Sequence, residues 1–162
     1  MSKSVNQERT NAMRILEASG VPFRTGSYEY DESDLSGVTA ARHLGVDASQ
    51  VFKTLVLRGE KRGVIVAVIP VAEEVDLKAL AVLAGDKRVE MCPLKELTPL
   101  TGYIRGGCSP VGMKKKYPTF IDETAILWDE IYVSAGQRGV QLIVPPEALI
   151  EFLGAGTGAI TK

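Results

Sequence analysis

Two β-branched runs dominate the middle of the chain, residues 51–57 (VFKTLVL) and residues 64–69 (VIVAVI). A polar, glycine-containing segment, residues 58–63 (RGEKRG), joins them. Branched side chains lose rotamer freedom in a helix and pack well on a pleated surface. The runs therefore predict a β-hairpin, or two neighbouring strands, that the rest of the chain must cover. The second run ends at Pro70 after six residues. That is far short of the roughly 18 apolar residues of a membrane span.

Punctuation on both sides divides the remainder into short elements. Residues 8–19 bring Ala12, Ile15, Leu16 and Ser19 near one helical face, with Gly20 as C-cap and Pro22 barring continuation. Residues 25–30 read as a strand and 30–34 as an acidic loop. Ser36 is the expected N-cap of a helix over 36–44 that stops at Gly45, and Asp47 caps a short turn before Gln50. Asp76 caps a helix over 77–84 ending at Gly85, residues 87–91 form a strand, and residues 93–97 start a short helix at a proline. Strands are expected at 119–121, 130–134 and 140–144. A closing helix spans 145–153, and a glycine-rich tail, 154–162, is expected to fray. Helix and strand do not alternate as in a doubly wound sheet. The expected fold is mixed α+β: a curved, barrel-like mixed β-sheet with helices packed around it. A chain of 162 residues without repeat or linker is expected to form one domain over 1–162, with its core at about 10–153.

The scarcity of reactive side chains narrows the chemistry. His43 is the only histidine, which excludes a multi-histidine metal site. It sits in the second helix and reads as a surface or partly packed residue rather than a general base. Cys92 and Cys108 are sixteen positions apart and form no CxxC pair. No GxSxG, HExxH or GxxxxGK[ST] motif occurs. The N-terminus, MSKSVNQERT, has no apolar stretch of a secretory signal. Two free thiols then fit a reducing cytoplasm.

Four segments are able to carry chemistry. Lys53 lies inside an apolar strand; it either guards an edge or projects as a point charge into a polar pocket. The segment 103–112 (YIRGGCSPVG) is either a tight turn or a glycine loop presenting backbone N–H groups to an anion or oxyanion. Residues 114–116 are three lysines within a stretch, 87–121, of seven basic and two acidic residues, a local charge of +5. Residues 122–151 hold six acids and Arg138, a local −5, although the whole chain carries only −1. A positive face beside the glycine loop would suit a phosphodiester partner. Finally, residues 134–139 (SAGQRG) read as a hairpin turn, or deliver Ser134 and its neighbours to a site. Cys108 is set aside as a nucleophile because no base is near it in sequence.

Taken in order, VFKTL, IVAVIPVAEEVDLKALA, KRVEM, TGYIRGGCSPVGMKKKYPTFID and IYVSAGQRG resemble the free-standing bacterial Cys-tRNA(Pro) deacylases of the YbaK type. These belong to the superfamily of editing domains associated with prolyl-tRNA synthetase. The resemblance runs from about residue 10 to residue 153. It implies trans-editing hydrolysis of mischarged Cys-tRNA(Pro), in which the substrate's own thiol attacks its ester, with no cofactor and no metal. It implies Lys53 as the essential lysine holding the phosphate-sugar end, and Gly106 and Gly107 as the glycine loop beside the ester. Tyr28, Ser109, Ser134 and Gly136 are the implied substrate-binding residues. The implied partners are the aminoacylated tRNA(Pro) acceptor end and prolyl-tRNA synthetase, not DNA or a membrane. Ser36 replaces a phenylalanine and Gln141 an aspartate of familiar members, so neither is taken as a site residue. Two other functions remain open from sequence: a deacylase of another mischarged tRNA, such as Ala-tRNA(Pro), that uses water, and a non-catalytic module for the tRNA acceptor end or a nucleotide.

Overall fold

The computed structural model describes residues 9–162 and the backbone of residues 2–3. The expected hairpin is its centre. Strand β4 (Phe52–Gly59) pairs antiparallel with β5 (Gly63–Pro70), from Phe52 opposite Pro70 to Gly59 opposite Gly63. Asp86 accepts the backbone N–H groups of Lys61 and Arg62 in the connecting turn.

Before the hairpin come β1 (Ser2–Lys3), α1 (Asn11–Ser19), β2 (Arg24–Ser27), β3 (Tyr30–Asp31) and α2 (Gly37–Leu44). After it come α3 (Leu77–Ala84), β6 (Val89–Met91), α4 (Leu97–Thr101), β7 (Thr119–Asp122), β8 (Ile131–Gln137), β9 (Val140–Val144), α5 (Pro146–Leu153) and β10 (Gly156–Gly158). The sheet orders are β10-β7-β5-β4-β6, β2-β9-β8 and β1-β3. The first is mixed, because β7 runs parallel to both β5 and β10.

Thr10 Oγ1 accepts the Met13 N–H (3.2 Å), so α1 starts at Asn11, and Arg9 and Thr10 of the expected helix precede it. Glu8, the first residue of the expected helix, lies outside the described residues. Ser36 and Asp76 cap α2 and α3 in the same way.

β5 explains its own composition. Val66 and Val68 face a core shared with Phe52, Ile121, Val133 and Leu142 and closed by α1 and α5. Ile65, Ala67 and Ile69 face a second core under Leu80, Ala81 and Ala84 of α3. A strand covered on both faces reads as a continuous apolar run rather than an alternating one.

The mixed α+β class is as expected; the five-stranded and three-stranded sheets meet at a parallel bridge, Val51 to Tyr132, without closing into a barrel among the described residues. Two expectations need correction. Tyr30–Asp31 is a short strand on β1 rather than loop. The glycine-rich tail does not fray. β10 adds an edge strand to β7, Ile160 is fully buried, and its N–H donates to Asp122 Oδ1 (3.0 Å). No helix among the described residues is long and apolar enough to cross a membrane.

Candidate active site

A cleft of about 450 Å³ opens where the two main sheets part. Side chains two apart on a strand share a face. From the Val51–Tyr132 bridge, two residues along the parallel pair lead to Lys53 on β4 and Ser134 on β8. Gln141 of β9 stands directly opposite Ser134. One row thus carries an ammonium, a hydroxyl and a carboxamide, and all three line the cleft.

The N-terminus of α2 and the glycine loop complete the lining. Leu35 and Ser36 come from the first, and Arg105, Gly106 and Cys108 from the second. Gly106 has φ +83°, and a Cβ there would meet Leu35 at 3.3 Å, so both backbone and packing call for glycine. Tyr28 stands at the rim with its ring edge-on to His43, the centroids 6.0 Å apart. The His43 Nδ1 is 2.9 Å from the Glu29 carbonyl, so this nitrogen carries the proton and donates. Burial pushes the Tyr28 phenol above its ordinary value, and a backbone hydrogen bond at Gly139 partly offsets this.

The polar groups differ sharply in how far they are satisfied. Lys53, half-buried, has no ion pair or hydrogen bond among the described residues. Thr54 Oγ1 and Gln141 Oε1 are buried without a partner. A buried polar atom left unpaired costs about 1–3 kcal/mol, and both residues belong to the cleft lining. Ser134 Oγ accepts the Gly136 N–H (3.1 Å), which leaves its O–H free to donate. The amides of Gly106 and Cys108 donate to no protein acceptor among the described residues. Burial pushes the Cys108 thiol up to about 11, against a hydrogen bond with Thr101. It is therefore protonated at neutral pH and a poor nucleophile.

Of the seven residues named from sequence, the structure brings Lys53, Gly106, Tyr28 and Ser134 together in this lining. The other three lie outside it. Gly107 is buried and its N–H donates to the Ile104 carbonyl (2.9 Å), so that amide closes a turn. Ser109 is fully buried, with Oγ accepting the Val111 N–H (3.2 Å). Gly136 lies under the Tyr103 ring, where a Cβ would approach Cε1 to 2.7 Å. Ser36 and Gln141, set aside in the sequence reading, both line the cleft. A glutamine inside the buried strand VQLIV was a signal in its own right, since a polar residue there needs a partner. The Thr54 signal is weaker, because threonine is common in strands. Among the described residues no cluster of three His, Cys, Asp or Glu side chains is able to hold a metal ion.

The family model for the aminoacyl-tRNA editing domain matches residues 35–152. A protein of Enterococcus faecalis, provisionally named Cys-tRNA(Pro)/Cys-tRNA(Cys) deacylase EbsC, is 47% identical over 161 residues, covering 99% of this chain and 98% of that protein. The chain belongs to the aminoacyl-tRNA editing domain family. The editing domain is also 27% identical over 124 residues to YwhH of Bacillus subtilis, covering 76% of this chain and 78% of that one. Its fold recurs in the crystal structure of the hypothetical protein APE2540, at TM-score 0.83 and 26% identity over 92% of this chain and 97% of the other. It recurs again in a protein provisionally described as a trans-editing enzyme for prolyl-tRNA synthetase, at TM-score 0.82 and 24% identity over 98% and 99%. The family match includes Lys53, Gly106 and Ser134, while Tyr28 lies N-terminal to it.

Proposed function

We propose that the protein is a trans-editing deacylase that removes cysteine from mischarged tRNA(Pro). The observation that carries this reading is a cleft with an unpartnered ammonium and free loop amides but no competent protein nucleophile. An aminoacyl ester is already activated, so orientation and oxyanion stabilisation suffice. Lys53 holds the phosphate-sugar end of the terminal nucleoside. Gly106, with the neighbouring Cys108 amide, receives the developing oxyanion. Gln141 Oε1 takes the α-amino group, and the Ser134 O–H donates to the bound ester.

The substrate thiol attacks its own carbonyl carbon. A C–S bond forms, the C–O bond to the ribose breaks, and the thiol proton passes to the departing ribose oxygen. The products are free tRNA and a cyclic thiolactone, which water then opens to cysteine. The full-length likeness to the enterococcal protein, whose name includes both Cys-tRNA(Pro) and Cys-tRNA(Cys), supports reading the amino acid before the tRNA. Prolyl-tRNA synthetase is then the partner that would supply tRNA selection.

The test is a panel of purified charged tRNAs: Cys-tRNA(Pro), Ser-tRNA(Pro), Ala-tRNA(Pro), Pro-tRNA(Pro) and Cys-tRNA(Cys). Cys-tRNA(Pro) is expected to be lost fastest, with Ser-tRNA(Pro) spared. Equal loss of the serine and cysteine esters would replace the thiol route by a water route. No loss above buffer for any ester would leave a non-catalytic binding module.

A further inference from the structure

The lysine run does not line the cleft. Lys115 and Lys116 line two adjoining grooves of about 230 and 350 Å³, which have Lys116, Tyr117, Thr119 and Leu153 in common. Arg62, from the β4–β5 turn, lines the second. No carboxylate lines either groove. Both lysines are exposed, and neither makes an ion pair or hydrogen bond among the described residues. Uncompensated cations around a concave surface focus a positive potential.

The segment that carries them is anchored. The Lys114 N–H donates to the Thr101 carbonyl (3.2 Å), and the Tyr117 O–H donates to the Leu100 carbonyl (2.7 Å). The lysines therefore stand on a fixed loop. That loop is continuous with the cleft, because Pro110 lines the first groove and Cys108 lines the cleft. Two residues span at most about 7 Å of extended chain, and the seven from Cys108 to Lys115 at most about 25 Å.

We propose that this double groove binds the phosphate backbone of the RNA strand behind the nucleotide held in the cleft. An RNA strand supplies one negative charge per nucleotide and an aromatic base that Tyr117 is able to meet. It is also the polymer to which an aminoacyl ester is attached, so the proposal rests on the deacylase reading. An acidic protein would match the charge but has no reason to end at the cleft.

The experiment measures binding of uncharged tRNA(Pro) by fluorescence anisotropy across a salt series. It compares the wild type with the double variant Lys115→Ala/Lys116→Ala, whose side chains are exposed and without protein partners. The variant is expected to bind at least tenfold more weakly, with the slope of log Kd against log salt reduced by about 2. Its kcat/KM on Cys-tRNA(Pro), relative to that on 3′-O-cysteinyl-adenosine, is expected to fall in the same proportion. Wild-type affinity and slope in the variant would overturn the groove while leaving the deacylase reading intact. A wild type that cleaves neither ester, beside a variant that still loses tRNA binding, would overturn the deacylase reading and keep the groove.

Discussion

Ser134 stands directly across the β8–β9 ladder from Gln141, and the two polar side chains share the cleft wall in opposite states. Ser134 Oγ already accepts the Gly136 N–H, whereas Gln141 Oε1, on a residue only 6% exposed, has no partner. The protein therefore carries an unsatisfied acceptor in its cleft. Gln141→Leu keeps the volume and removes that acceptor. It is expected to raise stability by about 1 kcal/mol and to lower kcat/KM at least tenfold. Urea denaturation and deacylation kinetics check both, and a variant unchanged in both would remove Gln141 from the site.

Lys53 is the positive charge of the same row. Lys53→Ala is expected to lower deacylation about 100-fold or more, in the range seen when one preorganised electrostatic contact is lost. Lys53→Arg restores only part of this, because a planar guanidinium does not present the same point charge. Full activity in a folded Lys53→Ala variant would displace the assigned site.

Cys108 offers a test from pH. Burial holds its thiol at about 11, so the reactive thiolate is scarce at neutral pH and grows tenfold per unit until that value. Alkylation of Cys108 by iodoacetamide is expected to be slow at pH 7 and to rise steadily through pH 10. Deacylation is expected to survive Cys108→Ala within a few-fold. Rapid inactivation by the reagent at pH 7 would point to a protein thiolate instead.

Asp86 locks the central hairpin. Partial desolvation pushes its carboxyl up, but the N–H groups of Arg62, Lys61, Arg88 and Lys87 outweigh this and hold it below the ordinary value. A depressed folded value contributes stability above the unfolded value, near 4. That contribution is lost as pH falls through the folded value. Asp86→Asn is expected to be less stable at pH 7 and to lack this part of the acid transition. Denaturant midpoints between pH 2 and pH 7 measure it, and parallel curves for the two proteins would refute it.

The C-terminal tail is part of the core. Ile160→Ala is expected to cost about 2–5 kcal/mol, the range for emptying a buried aliphatic site. Calorimetry should show a clear drop in Tm. A drop no larger than that of a surface substitution would return the tail to a frayed state.

Legibility followed the range of the forces involved. Helix ends at Gly20, Gly45 and Gly85 were readable because a left-handed C-cap is a local requirement. The β4–β5 hairpin was readable because both runs and their connector lie within twenty residues. The tail reads as loop from sequence because of its glycines at 154, 156 and 158, yet β7 offers that backbone a parallel edge. The family resemblance implies Gly107 and Ser109 beside Gly106, and only hydrogen bonding within the folded loop separates them.

The sequence by itself determined the mixed α+β class, most of the elements with their glycine C-caps, and the exclusion of histidine metal sites, and it singled out Lys53 and the glycine loop. Tertiary structure decided the rest. It joined the two main sheets only at the Val51–Tyr132 bridge, brought Lys53, Ser134 and Gln141 into one row, left Gln141 and Thr54 without partners, and placed residues 115–116 at grooves outside the cleft. The physical reason is that caps and strand patterns are set by neighbours a few residues away. A cleft is set by which strands diverge, and β4 and β8 are about eighty residues apart in the chain.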